Sequence, residues 1–313
     1  MSAMIRSRPW LMTLVALAVL VAVNTALQPG FVQPSVLQSN LTTFLPLALV
    51  AIGQTYVVMG GDIDLSVGAI AALVNVVTVS AIAAVGGDGL TPILAGLAAG
   101  LAAAVVCGVI NGILIAVLRL QAIVTTFATG IVFAGTALFV LPQAGLPVPE
   151  AFWRSYGGTL VGLPVVLWIL LAGLAFALIL ARRPFVAHLT AVGGSRVGAF
   201  QTGLSLSRVR IGAFVLSALF AGFAALCLTG ETASGDPLLG QSLALSSISA
   251  VVLGGTALSG GSGGPVGSIL GALVLGMIGN VIFFAGLPFA WQTLVQGLIV
   301  LAALAGGVLV TRR

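Results

Sequence analysis

The longest charge-free run in this chain limits its fold more than any other feature. From Pro237 to Thr311 there are 75 residues without an Asp, Glu, Lys, Arg or His, and a similar run extends from Pro9 to Gly61. Only 5% of all residues are charged, against about 25% in soluble domains. The apolar stretches last about 20 residues, the length of a membrane-crossing helix. The sequence therefore predicts an all-α polytopic membrane protein.

The arginines predict how this chain crosses the membrane. There is no Lys, and with a cytoplasmic N-terminus and ten spans, ten of the eleven Arg face the cytoplasm and Arg154 alone lies outside. Cytoplasmic loops carry such an excess of basic residues. We therefore expect about ten transmembrane helices with both termini in the cytoplasm. The predicted stretches are 10–28, 41–59, 65–85, 92–117, 122–142, 161–181, 209–229, 238–254, 265–286 and 289–310.

The first stretch has a second interpretation. Arg6 and Arg8 followed by a short apolar run are also typical of a signal peptide. Cleavage would leave nine spans and reverse the orientation that fits the arginines. Retention as the first span is therefore the favoured interpretation.

Two carboxylates, Asp62 and Asp64, follow the first long charge-free run. Charge at membrane depth is costly and commonly functional. Three interpretations are open. Asp64 or Ser66 could cap a helix that begins near Val67. The pair could belong to a gate or broken helix that permits movement. The Asp-x-Asp pattern could also bind a metal in a membrane glycosyltransferase, although such enzymes usually carry a large external domain.

Four segments resemble the permease subunits of ABC importers for ribose, xylose and related monosaccharides. They are the motif Gly60–Gly68 with its Gly-Gly-Asp-Ile-Asp-Leu-Ser sequence, the stretch Val109–Thr129 with its Asn-Gly pair, the glycine-rich stretch Val251–Gly271, and Phe289–Gln292. They occur in the family's order over most of the chain. The residues of this chain that match the family signature are Gly60, Gly61, Asp62, Asp64 and Ser66. We assign them to gating.

The resemblance implies a single transmembrane permease domain over residues 1–313 in the bacterial cytoplasmic (inner) membrane. It implies three protein partners: an ABC ATPase subunit, a second permease copy or paralogue, and an extracytoplasmic solute-binding protein. Membrane lipid surrounds the chain, and no nucleic acid or metal is expected. A Walker A loop requires a Lys, so ATP and Mg²⁺ would be bound by the partner and this chain would hold no cofactor. An ABC permease for a nucleoside or branched-chain amino acid is the nearest alternative.

The longest cytoplasmic stretch, about 182–210, resembles the family's ATPase-coupling segment. A short helix near 191–203 would dock into a cleft on the ATPase, and a glycine would end it. An ordinary solvated loop is the alternative. The family often has an Asn and an acidic residue where this chain has Ser195 and Arg196. The predicted coupling residues are Gly193, Gly194, Ser195, Arg196, Val197, Gly198, Ala199, Phe200 and Gly203.

Uncharged polar residues within the spans are candidates for a path taken by a neutral, hydroxyl-rich solute, although hydrogen bonds between helices explain such residues equally well. The candidates are Gln54, Thr55, Asn75, Asn111, Thr125, Thr126, Asn280, Gln292 and Gln296.

Repeated patterns indicate how the spans are arranged. The motif Val57–Gly61, with a Leu-Ser pair after it, resembles the motif Val251–Gly255, which also has a Leu-Ser pair after it. This similarity suggests an internal repeat in the chain. Glycines four apart, which let helices approach closely in lipid, occur at Gly96/Gly100, Gly108/Gly112 and Gly267/Gly271.

Overall fold

The computed structural model describes residues 10–288, 290–295, 297–298 and 301. Residues 290–295 are helical, and the helices before them are α1 Trp10–Leu27, α2 Pro34–Met59, α3 Val67–Val85, α4 Leu90–Ala116, α5 Ala122–Val140, α6 Glu150–Gly157, α7 Val165–Ala181, α8 Pro184–Gly194, α9 Arg196–Gln201, α10 Leu206–Thr232, α11 Leu243–Leu253 and α12 Pro265–Phe284.

Short antiparallel strands occur in the connections between these helices. β1 (Leu146–Pro147) pairs with β4 (Ser234–Gly235), with Leu146 opposite Gly235. β2 (Thr159–Leu160) pairs with β3 (Leu163–Pro164). Each strand has two residues, so the strands are confined to connections between helices.

The all-α polytopic prediction is confirmed. Among the described residues, seven helices are long and apolar enough to cross a membrane, and α7 with α8 forms a further candidate span that bends by 74°. The predicted total of ten spans and the cytoplasmic position of both termini stay predictions, because most of the stretch 289–310 and both chain ends lie outside the described residues.

The eighth predicted stretch, 238–254, differs from the prediction of a full span. Its helix, α11, has 11 residues, or about 16 Å, roughly half of a ~30 Å hydrocarbon core. Residues 236–242 form turns instead. Gly235 lies against Val79 of α3, while Gly240, with a φ of +80°, lies against Gly68 at the start of α3. The first half of this stretch is therefore non-helical, and α11 forms its second half.

The first predicted span is part of the bundle. Asn24 of α1 donates a hydrogen bond to the Met277 carbonyl of α12 at 3.2 Å, and Thr13 donates to the Leu253 carbonyl at the end of α11. Buried polar groups that bond to other helices are characteristic of a permanent span. This packing favours retention of α1 over the signal-peptide interpretation.

Helix α10 lies at the centre of the bundle and packs against both α4 and α2. Glycines make these contacts close, as predicted for helix-packing pairs. A Cβ at Gly108 or Gly112 of α4 would lie 2.7 Å and 2.8 Å from α10 Cα atoms, and one at Gly53 of α2 would lie 3.0 Å from the Cα of Ser217. This packing positions α10 directly beside the connection between α2 and α3.

The two similar motifs, Val57–Gly61 and Val251–Gly255, end their helices in the same way. Asp62 N donates to Val57 O at 3.1 Å, and Thr256 N donates to Val251 O at 3.1 Å. The glycine before each has a positive φ, +75° at Gly61 and +84° at Gly255. A left-handed glycine followed by this long backward bond is a Schellman ending. The local structure therefore repeats, whereas a repeat of the whole bundle stays a prediction.

Candidate functional site

The site is built around the connection between α2 and α3, residues 60–66, which is called the acidic loop below. It begins at the Schellman ending of α2 and reaches the first turn of α3. Both of its carboxylates are buried, Asp62 at 7% and Asp64 at 0% residue exposure. A buried charge is costly unless it is paired and hydrogen-bonded, so the partners of each carboxylate define what the loop does.

Asp62 is held by two arginines. Arg210 of α10 contacts both carboxylate oxygens, with Nε to Oδ2 at 2.8 Å and Nη2 to Oδ1 at 2.9 Å. Arg196, the first residue of α9, contacts Oδ1 at 2.9 Å. A two-pronged guanidinium–carboxylate pair of this kind fixes geometry as well as charge. Asp62 therefore connects the acidic loop to the coupling segment and to the N-terminal end of α10.

The two arginines also bind backbone carbonyls. Arg210 Nη1 donates to Ile115 O at 3.1 Å, near the C-terminal end of α4, and Arg196 Nη2 donates to Gly61 O at 3.1 Å. The Arg210 side chain is 10% exposed, whereas that of Arg196 is 47% exposed. The pair with Arg210 is therefore a buried structural connection, and the pair with Arg196 is open to solvent and more easily broken.

Asp64 belongs to a separate network of uncharged groups. Its Oδ1 accepts from Ser66 N at 2.9 Å and Ser66 Oγ at 2.6 Å, and its Oδ2 accepts from Ser217 Oγ of α10 at 3.0 Å. Asn111 of α4 donates to Ser66 Oγ at 2.8 Å, and Thr129 of α5 donates to Asn111 Oδ1 at 2.7 Å. This network joins the acidic loop to three different helices.

These contacts bear on two of the interpretations of the Asp-x-Asp pattern. The Ser66 side chain caps no backbone N–H of α3, whereas Asp64 Oδ1 accepts from Ser66 N directly before that helix, so capping by Asp64 stays an interpretation. The contacts lend the metal interpretation little support. The oxygens of Asp62 accept from arginines, and no cluster of three acidic, His or Cys side chains suited to a metal occurs among the described residues.

The coupling segment meets the acidic loop through glycine. A Cβ at Gly193, near the end of α8, would lie 1.9 Å from Met59 O. A Cβ at Gly260, in the α11–α12 connection, would lie 2.8 Å from the Cα of Gly61. Gly261 N also donates to Met59 O at 2.9 Å. We call this contact of three connections the glycine junction. Side chains are excluded from it, so α8 and the end of α2 meet backbone to backbone.

The coupling segment differs in one respect from the single short helix predicted near 191–203. It divides into α8, which ends at Gly194, and α9, which begins at Arg196. Ser195 lies between them in an extended conformation, and its Oγ accepts from Gly198 N at 3.1 Å. A serine in this position is a strong helix N-cap. Ser195 and Arg196, where the family pattern is not followed, thus start α9 and bind Asp62.

The far end of α9 has the predicted glycine. The helix ends at Gln201 and Gly203 follows with a φ of +82°. Val197 and Phe200, three residues apart on one face of α9, are 70% and 69% exposed. Ala199 on the other face is buried. Beside the exposed face is a cavity of about 940 Å³ lined by Arg119, Gln121, Val197, Phe200, Ser207 and Arg210 among others.

Gly60 and Gly194 complete the predicted set. A Cβ at Gly60 would lie 3.0 Å from a methyl group of Leu189 in α8, whereas one at Gly194 would meet nothing within 4 Å. The structure therefore brings the predicted signature and coupling residues together at one end of the bundle, although their roles stay predictions.

Comparison of the chain with known protein families gives one clear match. The family described as branched-chain amino acid transport system / permease component matches residues 36–304. The chain belongs to this family. The resemblance seen in the sequence is thereby confirmed, and the permease is a multi-pass protein of the bacterial inner membrane. No solved structure matches the chain.

Curated relatives match the permease over nearly its whole length. The ribose import permease protein RbsC of Bacillus subtilis is 35% identical, with 92% of this chain and 89% of the relative covered. The protein of the same name from Escherichia coli K12 is 31% identical, with 95% and 94% covered. The L-arabinose ABC transporter permease protein AraH of Azospirillum brasilense is 31% identical, with 91% and 83% covered.

The predicted path residues of the permease do not form one continuous set. Asn280 donates to Asn40 Oδ1 of α2 at 2.9 Å, and Gln292 lies beside Gly279 of α12. Thr125 donates to a carbonyl of its own helix, and Asn111 belongs to the Asp64 network. Other candidates bond inside the bundle: Thr55 to Ser268, Asn75 to Thr229 and Thr126 to the Ala122 carbonyl. Gln296 lies outside the described residues.

Gln54 differs from the other path candidates. It is fully buried, and neither its amide nitrogen nor its amide oxygen has a hydrogen-bond partner within the described structure.

Sequence reasoning missed Arg210, Ser217 and Thr129 as members of the site. Arg210 was used only as a topology marker, although an arginine just inside an apolar span in a chain with two buried carboxylates is a signal for pairing. Ser217 and Thr129 carry no pattern that distinguishes them from other small polar residues in helices. Their roles come from the close packing of α10, α4 and α5 around the acidic loop.

Proposed function

We propose that the permease is the transmembrane subunit of an ABC importer for a monosaccharide or a similar neutral polar solute. ATP hydrolysis in a separate ATPase subunit drives the transport, and α9 receives the motion. A second permease copy or paralogue and an extracytoplasmic solute-binding protein complete the assembly. Two relatives named for ribose import and one named for L-arabinose transport support the solute class.

The observation that carries the coupling role is the double connection between the coupling segment and the region where α2 passes into the acidic loop. Arg196 of α9 binds Asp62 and Gly61, and Gly193 of α8 lies against Met59 at the end of α2. A push on α8 and α9 would therefore act on the end of α2, on α10 through Asp62, and on the α11–α12 connection. The exposed apolar face of α9, Val197 with Phe200, supports contact with a partner protein, because exposed apolar side chains at a rigid helix suit a docking surface.

The site also favours a neutral solute over an amino acid. The carboxylate oxygens of Asp62 and Asp64 are occupied by protein donors, and Arg210 is committed to Asp62 and Ile115. A zwitterionic amino acid would require opposite charges free to pair with it. The predicted path residues are all uncharged, which suits a sugar.

The coupling role is tested with variants of α9 in the complete importer, reconstituted into proteoliposomes with its ATPase and binding protein. Val197→Asp and Phe200→Asp place a charge in the proposed contact, and Ala199→Pro removes the hydrogen bond from Ala199 N to Ser195 O. Gly198→Trp crowds the same helix. We expect loss of uptake and of solute-stimulated ATP hydrolysis, because truncating contact residues at an interface centre costs about 2 kcal/mol or more.

The matched controls lie at the end of α6 and in the connection that follows it. Val161 is 85% exposed, so Val161→Asp introduces the same charge away from α9. A side chain at Gly157 would meet nothing within 4 Å, so Gly157→Trp adds the same bulk. Both controls should import solute at the wild-type rate. Wild-type coupling in all four α9 variants would show that α9 is not the transmission point.

A further inference from the structure

Gln54 presents an unused hydrogen-bonding group in the interior of the bundle. Its amide carries two donors and an acceptor with two lone pairs, and none is satisfied within the described structure. A buried amide without partners costs about 1–3 kcal/mol for each unsatisfied group. Such a group requires an explanation, for example a functional partner that is present in another state. The surroundings of Gln54 indicate which partner that is.

Gln54 lies between two packing faces of α2. Gly53 packs against α10 at Ser217 and Phe220. Ala51 and Val58, three residues before and four after Gln54, belong to the apolar cluster formed with α11 and α12. Residues at these spacings share one side of a helix. Gln54 is therefore enclosed on the side of α2 that joins α10 to α11, about 7 Å before the end of α2.

Gly53, the residue before Gln54, packs against Ser217, which places Gln54 near the Asp64 network without joining it. Ser217 donates to Asp64, and the Asp64 oxygens are occupied by three donors. No charge is free there to attract an ion among the described groups. An amide can both donate to and accept from hydroxyl groups, so the chemistry of Gln54 suits a neutral polyhydroxylated ligand.

Helices α11 and α12 both pack against this part of α2, and α11 is the one best suited to move. It has 11 residues and is bounded by non-helical segments, 236–242 before it and 254–264 after it. A glycine with positive φ stands in each segment, Gly240 and Gly255. Broken helices with such ends are typical of transporter parts that shift around a substrate, and large backbone changes in hinge motions are confined to a few residues like these.

We propose that Gln54 is a solute-contacting residue of the permease, reached when α11 moves away from α2, and that its amide hydrogen-bonds hydroxyl groups of the transported sugar. The proposal rests on the proposed function and assigns one residue of its path. In the structure described here Gln54 is fully buried, and the neighbouring positions Ala51 and Val58 pack against α11 and α12, as in a closed state.

The experiment compares Gln54→Leu with Thr78→Val in the reconstituted importer. Thr78 is the matched control, because its hydroxyl is also buried without a partner in the described structure, at the α3–α4 contact. Replacing an unsatisfied buried polar group by an apolar one of similar shape is neutral or stabilising. The midpoint of thermal unfolding should therefore stay the same or rise in both variants, and this separates folding from transport.

Uptake is measured with radiolabelled D-ribose, D-xylose and L-arabinose, and the sugar that the wild-type importer takes up fastest is used. Gln54→Leu should reduce its uptake about tenfold, the effect of losing one or two hydrogen bonds, while Thr78→Val stays at the wild-type rate. In addition, Gln54→Cys should be modified by a small water-soluble thiol reagent during ATP turnover, and the sugar should slow the modification.

The outcomes separate the two proposals. Wild-type uptake by Gln54→Leu, or thiol modification that the sugar does not slow, would overturn the role of Gln54 and leave the importer function intact. A water molecule as the partner of Gln54 predicts the same two results. Failure of the wild-type importer to take up any of the three sugars would instead overturn the proposed solute class.

Discussion

The acidic loop and the α11–α12 connection have the same beginning and different chemistry. Both begin with a Val-Val-x-Gly-Gly motif and a Schellman ending with matching hydrogen bonds. The next residue is Asp62 in the acidic loop and Thr256 in the other. Asp62 binds two arginines, whereas Thr256 Oγ1 accepts a hydrogen bond from Gly264 N at 3.3 Å, within its own connection.

This difference indicates that one backbone frame can carry two kinds of contact. In the acidic loop the carboxylates and Ser66 gather side chains from α9, α10 and α4. In the α11–α12 connection the contacts to other elements are made by backbone at Gly260 and Gly261. We therefore expect the first connection to hold its elements together during transport and the second to act as a hinge.

The largest expected effect comes from breaking the buried ion pair of the acidic loop. Arg210→Met leaves the Asp62 carboxylate with one half-exposed partner, and removing one member of a buried pair costs about 3–5 kcal/mol. The counterpart variant, Thr256→Val, removes one hydrogen bond and should cost about 1 kcal/mol. The midpoint of thermal unfolding of the purified permease and solute uptake measure the difference.

A double variant serves as the control for this comparison. Asp62→Asn combined with Arg210→Met removes both charges, so the permease should be more stable than with Arg210→Met alone. If Arg210→Met is no more harmful than Thr256→Val, the two connections do not differ in the way described above.

The glycine junction supplies the second test, with an intermediate effect. Gly193→Ala forces a Cβ to within 1.9 Å of Met59 O unless the backbone moves, and overpacking of this kind costs about 1–3 kcal/mol. Gly194→Ala is the control, because its Cβ would meet nothing within 4 Å. We expect lower thermal stability and slower uptake for Gly193→Ala, and wild-type values for its neighbour. Equal behaviour of the two variants would contradict direct backbone contact at the junction.

Most of the fold follows from the sequence, because the backbone N–H and C=O groups of a long apolar run in a membrane have few ways to find hydrogen-bond partners other than in a helix. The half-helical eighth span did not follow, since its four serines make the apolar stretch weak without showing where the helix begins, and the sequence does not show that Gly240 packs against α3. In the site, Asp62, Asp64 and Arg196 stood out as charges in an apolar chain. Ser217 and Thr129 did not, because only the packing of α10 and α5 brings them to the network.

The smallest effect on stability is expected at Arg196, and it distinguishes coupling from folding. The Arg196 side chain is 47% exposed, and ion pairs open to solvent contribute about 0–1 kcal/mol. Arg196→Met should therefore leave the unfolding midpoint nearly unchanged, while Arg210→Met lowers it strongly. Because Arg196 is the side-chain connection from α9 to Asp62, its loss should still reduce solute-stimulated ATP hydrolysis.

In the wild-type importer this stimulation should weaken with rising salt, since salt screens exposed pairs, and the Arg196→Met importer should respond less to salt. Full stimulation in Arg196→Met, with the wild-type response to salt, would leave the glycine junction as the route from α9 to the acidic loop.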